Sequence, residues 1–534
     1  MMTRFQTRPP MNPGQPHPLD QDRIVILIVH SWRIWMVVTA ISFLGLMPLH
    51  AERINHEGRI LGAMPVVTNA VLFNTPEADA IMSALQIFPR DHAWNEDISR
   101  RPVLANSDFI ITNIVGELQA SRRTLRAFYE MNFVLVPTNQ PSIPITFFYY
   151  GDQSDPSPYP IPTNTPVEGW PRETGSLTLD QWQRDINNVG GDRHSIIVQP
   201  GTGDLWETWL TQKTNSLWRA ANGAKFNLNS NAQRPAGWTS ADAAGLSMLG
   251  GLVRYDECER GMVEHAIRII VKHTRRQYLY PASHHASVPS TLDPNVPAMG
   301  QRLRLKAGFV IPSNWTKQEK AVLLALKKYG AIVADNGNFF SISVAPDQRF
   351  PGNAFDHFST IGITNFEAIV TTQAGEGPRS PGAPTANAGA DHRVRPGSSL
   401  QLDGRVMFSQ PSQVSWKFYS GPAPVTFDDP ARTNAIATFG TNGTYTLMLS
   451  TDDGIHAVAY DAMVVTVADN VRLNINCQGG NVLLNWTGGT APFDVEGAIP
   501  TAITNWTILQ TTSQTNVVLP MNVGARLFRI RAQP

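Results

Sequence analysis

A stretch of Gly, Pro and Ser divides this chain of 534 residues into a long front part and a shorter rear part. The stretch reads QAGEGPRSPGAPTA from Gln373 to Ala386, and its near lack of apolar residues is typical of a linker. A chain of this length is too long for one ordinary domain. The sequence therefore predicts a front domain over 52–372, a linker over 373–383, and two further modules over 384–468 and 471–534.

Composition favours a β-rich globular protein. Gly and Pro number 40 each, which with many Val, Ile, Thr and Phe residues indicates short strands joined by turns. The 43 basic and 43 acidic residues balance, so nucleic acid is not an expected partner. The two cysteines, Cys258 and Cys477, fall in different predicted modules, so we expect no disulfide between them and a small buried side chain at each. The predicted fold class is mainly β: a β-dominated α+β N-terminal domain followed by two small antiparallel β-sandwich modules.

Residues 1–51 indicate a signal peptide or other N-terminal leader. Arg33 precedes the apolar run IWMVVTAISFLGLMPLHA, which ends at the small residue Ala51. The alternative is an uncleaved signal anchor, because Ile34 to Leu49 approaches the length of a membrane span. We expect membrane contact only through such an uncleaved leader, and a protein that is secreted or held at the cell surface.

The segment Pro384 to Val467 begins PTANAGADHRVRPGSSLQLDG and later reads TFGTNGTYTLMLSTDDG. It resembles the PKD domain, which implies a small extracellular β-sandwich. Trp416 is expected in its core, and the DDG at Asp452 is expected to form a structural turn, with calcium binding as the alternative. The last block, from Val471, shows alternating strands between GG and NVG turns and resembles fibronectin-III-like modules, which implies a spacer role.

In the front domain, TKQE at Thr316 fits a helix capping box and Gly330 suits the end of that helix. Apolar runs on both sides of Asn336-Gly337 predict a β-hairpin. No GxGxxG or GxxxxGK[ST] motif is present, which argues against a nucleotide-binding fold. Further strands are predicted at Asn132–Val136, Ile143–Tyr150, Ser195–Gln199, Met262–Val271 and Arg302–Val310.

The front domain also resembles an uncharacterised family of secreted bacterial proteins. The segments that carry this resemblance include FPRDHAWNEDIS at Phe88, GGDRHSIIVQPGTGDLWETW at Gly190, RPAGWTSADAAGLSMLGGLVRYDECERGMVEHAIR at Arg234 and PASHHAS at Pro281. The resemblance implies no activity and brings no catalytic residues.

Polar residues around one predicted hairpin are candidates for acid–base chemistry. If the strands after His194 and after Asp204 pair, His194 and Glu207 lie near one another, and a carboxylate beside an imidazole can position it as a base. We take His194, Glu207 and Asp242 as catalytic candidates, with Arg254 and His265 placing the substrate. The competing interpretation is that the first two are turn and surface residues, and that His265 is a satisfied core residue.

Aromatic residues cluster close to these candidates. Trp206, Trp209 and Trp238, with Trp218, fall within 33 residues, and flat rings between amide side chains suit sugar binding. The alternative places half of these tryptophans in the core. The alternating basic residues Arg302, Arg304 and Lys306 are expected on a solvated strand face, or in a groove for an anionic polymer.

These patterns predict a secreted or cell-surface bacterial protein whose front domain binds extracellular polysaccharide, and which, if it is an enzyme, is a carbohydrate-active hydrolase or lyase. A non-catalytic adhesion or cell-envelope structural protein is the second possibility. A metalloprotein using His273, His284 and His285 is the third, although these residues match neither the HExxH nor the CxxC pattern. The sequence identifies no cofactor.

Overall fold

The computed structural model describes residues 26–30, 33–37, 53–215, 217–286, 291–469, 471–489, 491–499, 505–520 and 527–532. Two strands, Ile26–His30 (β1) and Arg33–Val37 (β2), pair antiparallel within the predicted leader. The rest of the leader, with Ala51, lies outside the described residues. Across the described ranges, no helix has the length and apolar character needed to cross a bilayer.

The front part, as far as it is described, mixes short helices with β-strands. Its helices are Pro76–Ala84 (α1), Ser107–Glu117 (α2), Leu179–Arg184 (α3), Tyr255–Arg260 (α4) and Lys317–Lys328 (α5). Its strands are Val71–Leu72 (β3), Leu125–Tyr129 (β4), Val134–Leu135 (β5), Ile145–Phe147 (β6), Ser195–Gln199 (β7), Asp204–Trp209 (β8), Gln212–Thr214 (β9), Leu217–Ala220 (β10), Asn222–Asn227 (β11), Ile267–Val271 (β12), Arg302–Leu305 (β13), Ala331–Asn336 (β14), Phe340–Val344 (β15) and Phe366–Ala368 (β16).

A five-stranded sheet has the order β11-β8-β7-β5-β3, and its central strand β7 is buried on both faces. Every residue of β7 is buried: Ile196 and Val198 face the largest core of the front part, and Ile197 faces a second, smaller core. This is why the sequence of β7 is a continuous apolar run rather than an alternating one. The predicted pairing of β7 with β8 is confirmed, with Ile196 opposite Glu207. The predicted strands around Val134 and Ile145 are present but shorter, and they belong to different sheets.

A six-stranded sheet with the order β16-β13-β14-β12-β15-β4 corrects the predicted hairpin at Asn336-Gly337. Strands β14 and β15 do not pair, because β12 lies between them and bonds to both. The connection instead crosses the end of β12, where the Gly337 N–H donates to the Val271 carbonyl at 2.9 Å. A Cβ at Gly337 would meet Ile270 at 2.8 Å, so this crossing favours glycine.

Helix α5 begins and ends as its sequence predicts. Thr316 accepts from the Glu319 N–H while Glu319 accepts from the Thr316 N–H, which completes the capping box. The chain leaves the helix through Gly330 at a φ of +68°, a left-handed conformation that glycine adopts without strain.

The basic strand β13 corrects another expectation, since its arginines are not solvated. Arg302 and Arg304 are buried. Arg302 donates to the Tyr329 carbonyl at 3.0 Å, and Arg304 donates to Glu367 Oε1 at 2.8 Å and to the Ile98 carbonyl at 2.8 Å. Buried guanidinium groups with partners of this kind act inside the fold, so this strand presents no basic surface to a polymer.

Residues 385–467 form a small β-sandwich around one apolar core. Trp416 is buried in that core, as predicted, and its ring N–H donates to the Thr433 carbonyl at 3.1 Å. The strand pairs are antiparallel apart from one parallel pair, His392–Val394 with Ala459–Val467. The strands are Thr385–Asn387 (β17), His392–Val394 (β18), Ser399–Gln401 (β19), Arg405–Met407 (β20), Gln413–Ser420 (β21), Thr426–Phe427 (β22), Ile436–Thr438 (β23), Gly443–Asp452 (β24) and Ala459–Val467 (β25).

The acidic turn after β24 is held by its own chain. Asp452 accepts from the Gly454 N–H at 2.8 Å, and Asp453 accepts from the backbone of Ile455 and from the ring of His456. Both carboxylates therefore stabilise the turn, as predicted.

The last described block is a second small sandwich with a core of its own. It consists of two three-stranded sheets whose strand pairs are all antiparallel. Cys258 is buried, as predicted, but Cys477 is exposed, so the prediction is wrong for the second cysteine. Neither cysteine forms a disulfide. The strands are Arg472–Gln478 (β26), Asn481–Thr487 (β27), Phe493–Ala498 (β28), Thr507–Thr512 (β29), Asn516–Pro520 (β30) and Leu527–Ala532 (β31).

The predicted linker is packed against both of its neighbours. Gly377 and Pro378 are buried, and Arg379 donates to the Asp91 carbonyl at 3.0 Å. On the other side, Ser380 and the His456 ring lie within hydrogen-bonding distance at 2.8 Å. The segment therefore connects the front part to the first sandwich through specific contacts.

Candidate active site

A polar cavity of about 140 Å³ opens between the two large sheets of the front part. The ends of β4, β12 and β14, the start of β7, and the crossing connection after β14 bring its walls together. The lining residues include charged, amide, hydroxyl and apolar side chains: Phe128, Glu130, Met131, Glu168, Asp192, His194, Arg268, Ile270, Asp335, Asn336, Gly337, Asn338, Phe339 and Ser341.

His194, one of the predicted catalytic residues, lines this cavity as a buried cation. Its Nδ1 lies 2.7 Å from Glu168 Oε2 and its Nε2 lies 3.0 Å from the Ala241 carbonyl oxygen. Burial alone would lower the pKa of His194, but the Glu168 carboxylate outweighs it and raises the pKa to about 9. Both ring nitrogens therefore donate at neutral pH, so His194 anchors Glu168 and has no lone pair free to act as a base.

Asp242, the second predicted catalytic residue, lies next to the cavity in an ion pair. Arg268 on β12 donates to it through Nε at 2.7 Å and through Nη2 at 3.0 Å. Both side chains are almost fully buried. The same guanidinium reaches Asp335 Oδ2 at 3.1 Å and Ser343 Oγ at 3.0 Å. Asp242 thus fixes Arg268, which in turn lines the cavity.

Two carboxyl groups in the cavity hold their protons towards neutral pH. Burial, with the nearby charge of Glu168, raises the pKa of Glu130 to about 7. Burial, with the charge of Asp242, raises the pKa of Asp335 to about 6. In contrast, the pKa of Glu168 is lowered, because the His194 imidazolium outweighs the effect of burial. The cavity therefore combines two acids that release their protons only as the pH approaches neutrality with a carboxylate, Glu168, that stays ionised.

The carboxylate of Glu207, the third predicted catalytic residue, is instead hydrogen-bonded to the nearby turn. Its carboxylate accepts from the Leu249 N–H at 2.9 Å, the Met248 N–H at 3.0 Å and the Ser247 hydroxyl at 3.0 Å. Burial raises the pKa of Glu207 to about 7, although these donors oppose the shift. Glu207 shares a strand face with His194, as the hairpin predicts, but it holds the turn at Leu249–Gly251 and does not line the cavity.

Arg254 and His265, the predicted substrate-placing pair, meet each other in a separate buried cluster. Glu257 joins them: Arg254 Nη2 lies 2.5 Å from Glu257 Oε1, and His265 Nε2 lies 3.2 Å from Glu257 Oε2. His265 lies before β12, because that strand begins at Ile267 and not at Met262 as predicted. Neither side chain lines the cavity.

The tryptophans divide between core and surface as the alternative interpretation proposed. Trp206 and Trp218 are buried in the smaller core. Trp209 and Trp238 are half-buried; the Trp209 ring N–H donates to Asp192, and Arg234 lies over the Trp238 ring. No two of the predicted binding rings, Trp206, Trp209 and Trp238, stack on one another within the described structure.

The three histidines of the metal hypothesis have other partners. His273 pairs with Glu117 at 3.1 Å, and the stacked rings of His284 and His285 have centroids 5.6 Å apart. Across the described residues, no group of three or more His, Cys, Asp or Glu side chains is arranged to hold a metal ion.

The sequence patterns singled out none of Glu130, Glu168, Asp335 and Ser341, and Arg268 was not among the predicted site residues. Two of these positions carry a usable signal. Arg268 interrupts the apolar run AIRIIV and Asp335 ends the apolar run AIVAD, and a charge inside such a run has to be paired or functional. Glu130 and Glu168 lie in loops without any comparable pattern.

Comparisons with known proteins assign no family. No protein-family model matches the chain, and no curated protein matches it. The PKD domain of the KIAA 1837 protein is 26% identical with a TM-score of 0.15, over 16% of this chain and 89% of that one. The PKD domain of human KIAA0319 is 17% identical with a TM-score of 0.15, over 18% and 90%.

A hypothetical protein from Saccharophagus degradans, described as nucleoside hydrolase-related and associated with carbohydrate metabolism, is also similar over a short region. It is 17% identical with a TM-score of 0.14, over 16% of this chain and 25% of that one. TM-scores this low carry no conclusion about the fold or the function of the chain. The sandwich at residues 385–467 is established by its own strand pairing and core.

Proposed function

We propose that this protein acts outside the cell, and that its front part binds an extracellular polysaccharide and hydrolyses it at the polar cavity. The observation that carries the proposal is that Glu130 and Asp335 line one cavity together with Arg268. Burial raises the pKa of these two carboxyl groups, to about 7 and to about 6 respectively. The apolar leader and the PKD-like sequence support an extracellular location. The two rear sandwiches then serve as spacers or as modules that dock the substrate.

The chemistry of glycoside hydrolysis requires two carboxyl groups in different protonation states. One donates a proton to the leaving oxygen, while the other acts as an ionised base or nucleophile. Glu130, which keeps its proton closer to neutral pH, takes the acid role in this proposal, and Asp335 takes the ionised role. Ser343 donates to Glu130 Oε1 at 2.9 Å and Arg268 donates to Asp335, so both carboxyl groups are held in place.

His194 and Asp242 act in this scheme as positioning residues. His194 orients Glu168, and Asp242 orients Arg268, which keeps a positive charge beside the reacting carboxyl groups. This assignment differs from the one predicted from sequence, where His194, Glu207 and Asp242 themselves carried the acid–base chemistry.

A panel of polysaccharides incubated with the full chain tests the proposal, with release of reducing ends as the readout. We expect the Glu130→Gln and Asp335→Asn variants to lose at least about 100-fold in turnover, the size of effect typical of a general acid or base. Glu77→Gln is the matched control, since Glu77 is exposed on α1 and does not line the cavity. Absence of both binding and turnover across chemically diverse glycans would contradict the proposal.

A non-catalytic adhesion or structural protein is the second candidate, and one observation favours it. At about 140 Å³ the cavity is smaller than typical ligand pockets, which span about 300–1,000 Å³. Under this alternative, the full chain binds a glycan or a surface but releases no reducing ends, and the two carboxyl variants leave binding unchanged.

A further inference from the structure

Building on the proposed function, we infer that the cavity receives a sugar unit that carries a free primary ammonium group, such as a hexosamine without an N-acetyl group. The inference names the substrate class, and it depends on the balance of charge in the cavity, on one unpartnered hydroxyl and on the remaining polar lining.

Carboxyl groups outnumber cations around the cavity. Four line it, Glu130, Glu168, Asp192 and Asp335, whereas the lining cations are Arg268 and His194. His194 is neutralised by Glu168. Arg268 is neutralised by the bidentate contact with Asp242, which lies behind the cavity wall.

Glu130, Asp192 and Asp335 therefore face the cavity without a full counter-charge. Asp335 shares the Arg268 guanidinium with Asp242, and Glu130 contacts the neutral hydroxyl of Ser343. Arg122 is also nearby, but it stacks on the Phe339 ring and does not line the cavity. A cationic group on a ligand would complete this balance, because it pairs with the half-buried Glu130 and Asp335 and the exposed Asp192, which otherwise repel one another.

Ser341 supplies an independent sign that a polar ligand belongs here. Its side chain is 1% exposed and lines the cavity, yet its hydroxyl has no hydrogen-bond partner. A buried hydroxyl without a partner costs free energy, so the position favours a ligand that can donate to it or accept from it. An ammonium group offers three donors, which suits a hydroxyl oxygen placed among carboxylates.

The remaining lining favours a sugar ring over a lysine side chain or a metal ion. Asn338 lines the cavity at an exposed position and presents an amide that pairs with ring hydroxyls, which a lysine stem lacks. Phe128 and Phe339 present apolar surface that suits the C–H face of a sugar. As noted for the metal hypothesis, the described His, Cys, Asp and Glu side chains form no metal-binding group.

Calorimetric titration of the full chain tests this inference with three sets of oligosaccharides of equal length: glucosamine, N-acetylglucosamine and glucose oligomers. We expect the glucosamine oligomer to bind at least about tenfold more tightly than the other two, because charge-assisted hydrogen bonds form only with the free amine. The Glu130→Gln and Ser341→Ala variants should each reduce this preference, while Glu77→Gln should leave it intact. N-α-acetyl-lysine methylamide serves as the probe for a lysine ligand and should bind more weakly than the glucosamine oligomer.

Each outcome is informative. Tighter binding of the neutral oligomers would overturn the ammonium inference and leave the proposed polysaccharide function standing. Tighter binding of the lysine probe would overturn the sugar assignment. No binding of any oligosaccharide would contradict the inference and the proposed function together. A preference for the amine that survives in both cavity variants would place the amine site elsewhere and so overturn this assignment.

Discussion

Two buried clusters in the front part contain the same kinds of residue but differ in their balance of charge. The cavity cluster consists of Glu130, Glu168, His194, Asp242, Arg268 and Asp335, and the closed cluster consists of Arg254, Asp256, Glu257, Arg260 and His265. Each contains a His–Glu pair and a buried Arg–carboxylate pair. A cavity opens beside the first cluster, whereas the second is not part of that cavity.

The difference shows in the ionisation of the acids. In the closed cluster, burial works against ionisation of Glu257, but Arg254 and His265 outweigh it and lower the pKa to about 2. In the cavity cluster, burial prevails at Glu130 and Asp335 and raises both pKa values. Ion pairs with balanced charge stabilise the fold, whereas an excess of acidic side chains beside a cavity is suited to ligand binding or to proton transfer. The following experiments test whether this contrast holds.

Removing the central cation of the cavity cluster should have the largest effect. Arg268→Met leaves Asp242 as a fully buried carboxylate without its partner, so we expect a loss of about 3–5 kcal/mol in the free energy of unfolding. Urea denaturation followed by tryptophan fluorescence measures this loss. Arg276→Met, at an exposed position, is the control and should change stability by less than about 0.5 kcal/mol. A loss below about 1 kcal/mol for Arg268→Met would show that the Asp242 pair is not a structural requirement.

Removing the central carboxylate of the closed cluster should have a similar but smaller effect. Glu257→Gln leaves Arg254 and His265 without their shared anion, so we expect a loss of about 3 kcal/mol at pH 7. Because the folded pKa of Glu257 lies near 2, below its value in the unfolded chain, this contribution is present above about pH 4.5 and disappears as the pH falls towards 2. Denaturation curves at pH 7 and pH 3 should therefore show a smaller difference between variant and wild type at pH 3. Equal differences at the two pH values would contradict the ion-pair explanation.

The imidazolium of the cavity cluster should make stability depend on alkaline pH. The pKa of His194 is raised to about 9, so its contribution is complete below its unfolded value of about 6.5 and is lost as the pH rises to about 9. We expect the wild type to lose about 2–3 kcal/mol of unfolding free energy over this interval. His194→Gln should be less stable at pH 6 and should lack most of this decline. A decline of equal size in both proteins would assign it to other groups.

Replacing the protonated acid of the cavity should have the smallest effect and gives the sharpest contrast with Glu257. At pH 4 Glu130 is largely uncharged in both the folded and the unfolded chain, so Glu130→Gln should change stability by less than about 0.5 kcal/mol. The folded pKa lies above the unfolded one, so the wild type loses stability as the pH rises from about 4.5 to 7, and the variant should be the more stable protein at pH 8. The same denaturation series measures both values. A variant that is less stable by about 2 kcal/mol at both pH values would remove the distinction between the two clusters.

Patterns that depend on a few neighbouring residues were predictable from the sequence. The capping box at Thr316, the pairing of β7 with β8, the buried Trp416 and the turn at Asp453 all appear as expected. The mainly β fold class is also confirmed. Each depends on local hydrogen bonds or on the alternation of apolar side chains, which neighbouring residues determine.

Predictions that required a partner from a distant segment were less successful. The run beside Asn336-Gly337 suggested a hairpin, but β12 pairs with both strands and separates them. Glu207 had the residue type of a catalytic acid, yet the backbone at Met248 and Leu249 occupies its oxygens. Hydrogen-bond partners forty or more residues away leave no pattern in the chain near the group that they bind.

Strands, turns and one capped helix follow from hydrogen bonds and apolar patterns between residues that are neighbours in the sequence. The cavity cluster cannot be predicted in this way, because its side chains come from separate segments that meet only when the sheets pack. These side chains are Glu130, Glu168, Asp242, Arg268 and Asp335. Burial in that packed interior, and the distance to the nearest opposite charge, set which of these acids keeps its proton.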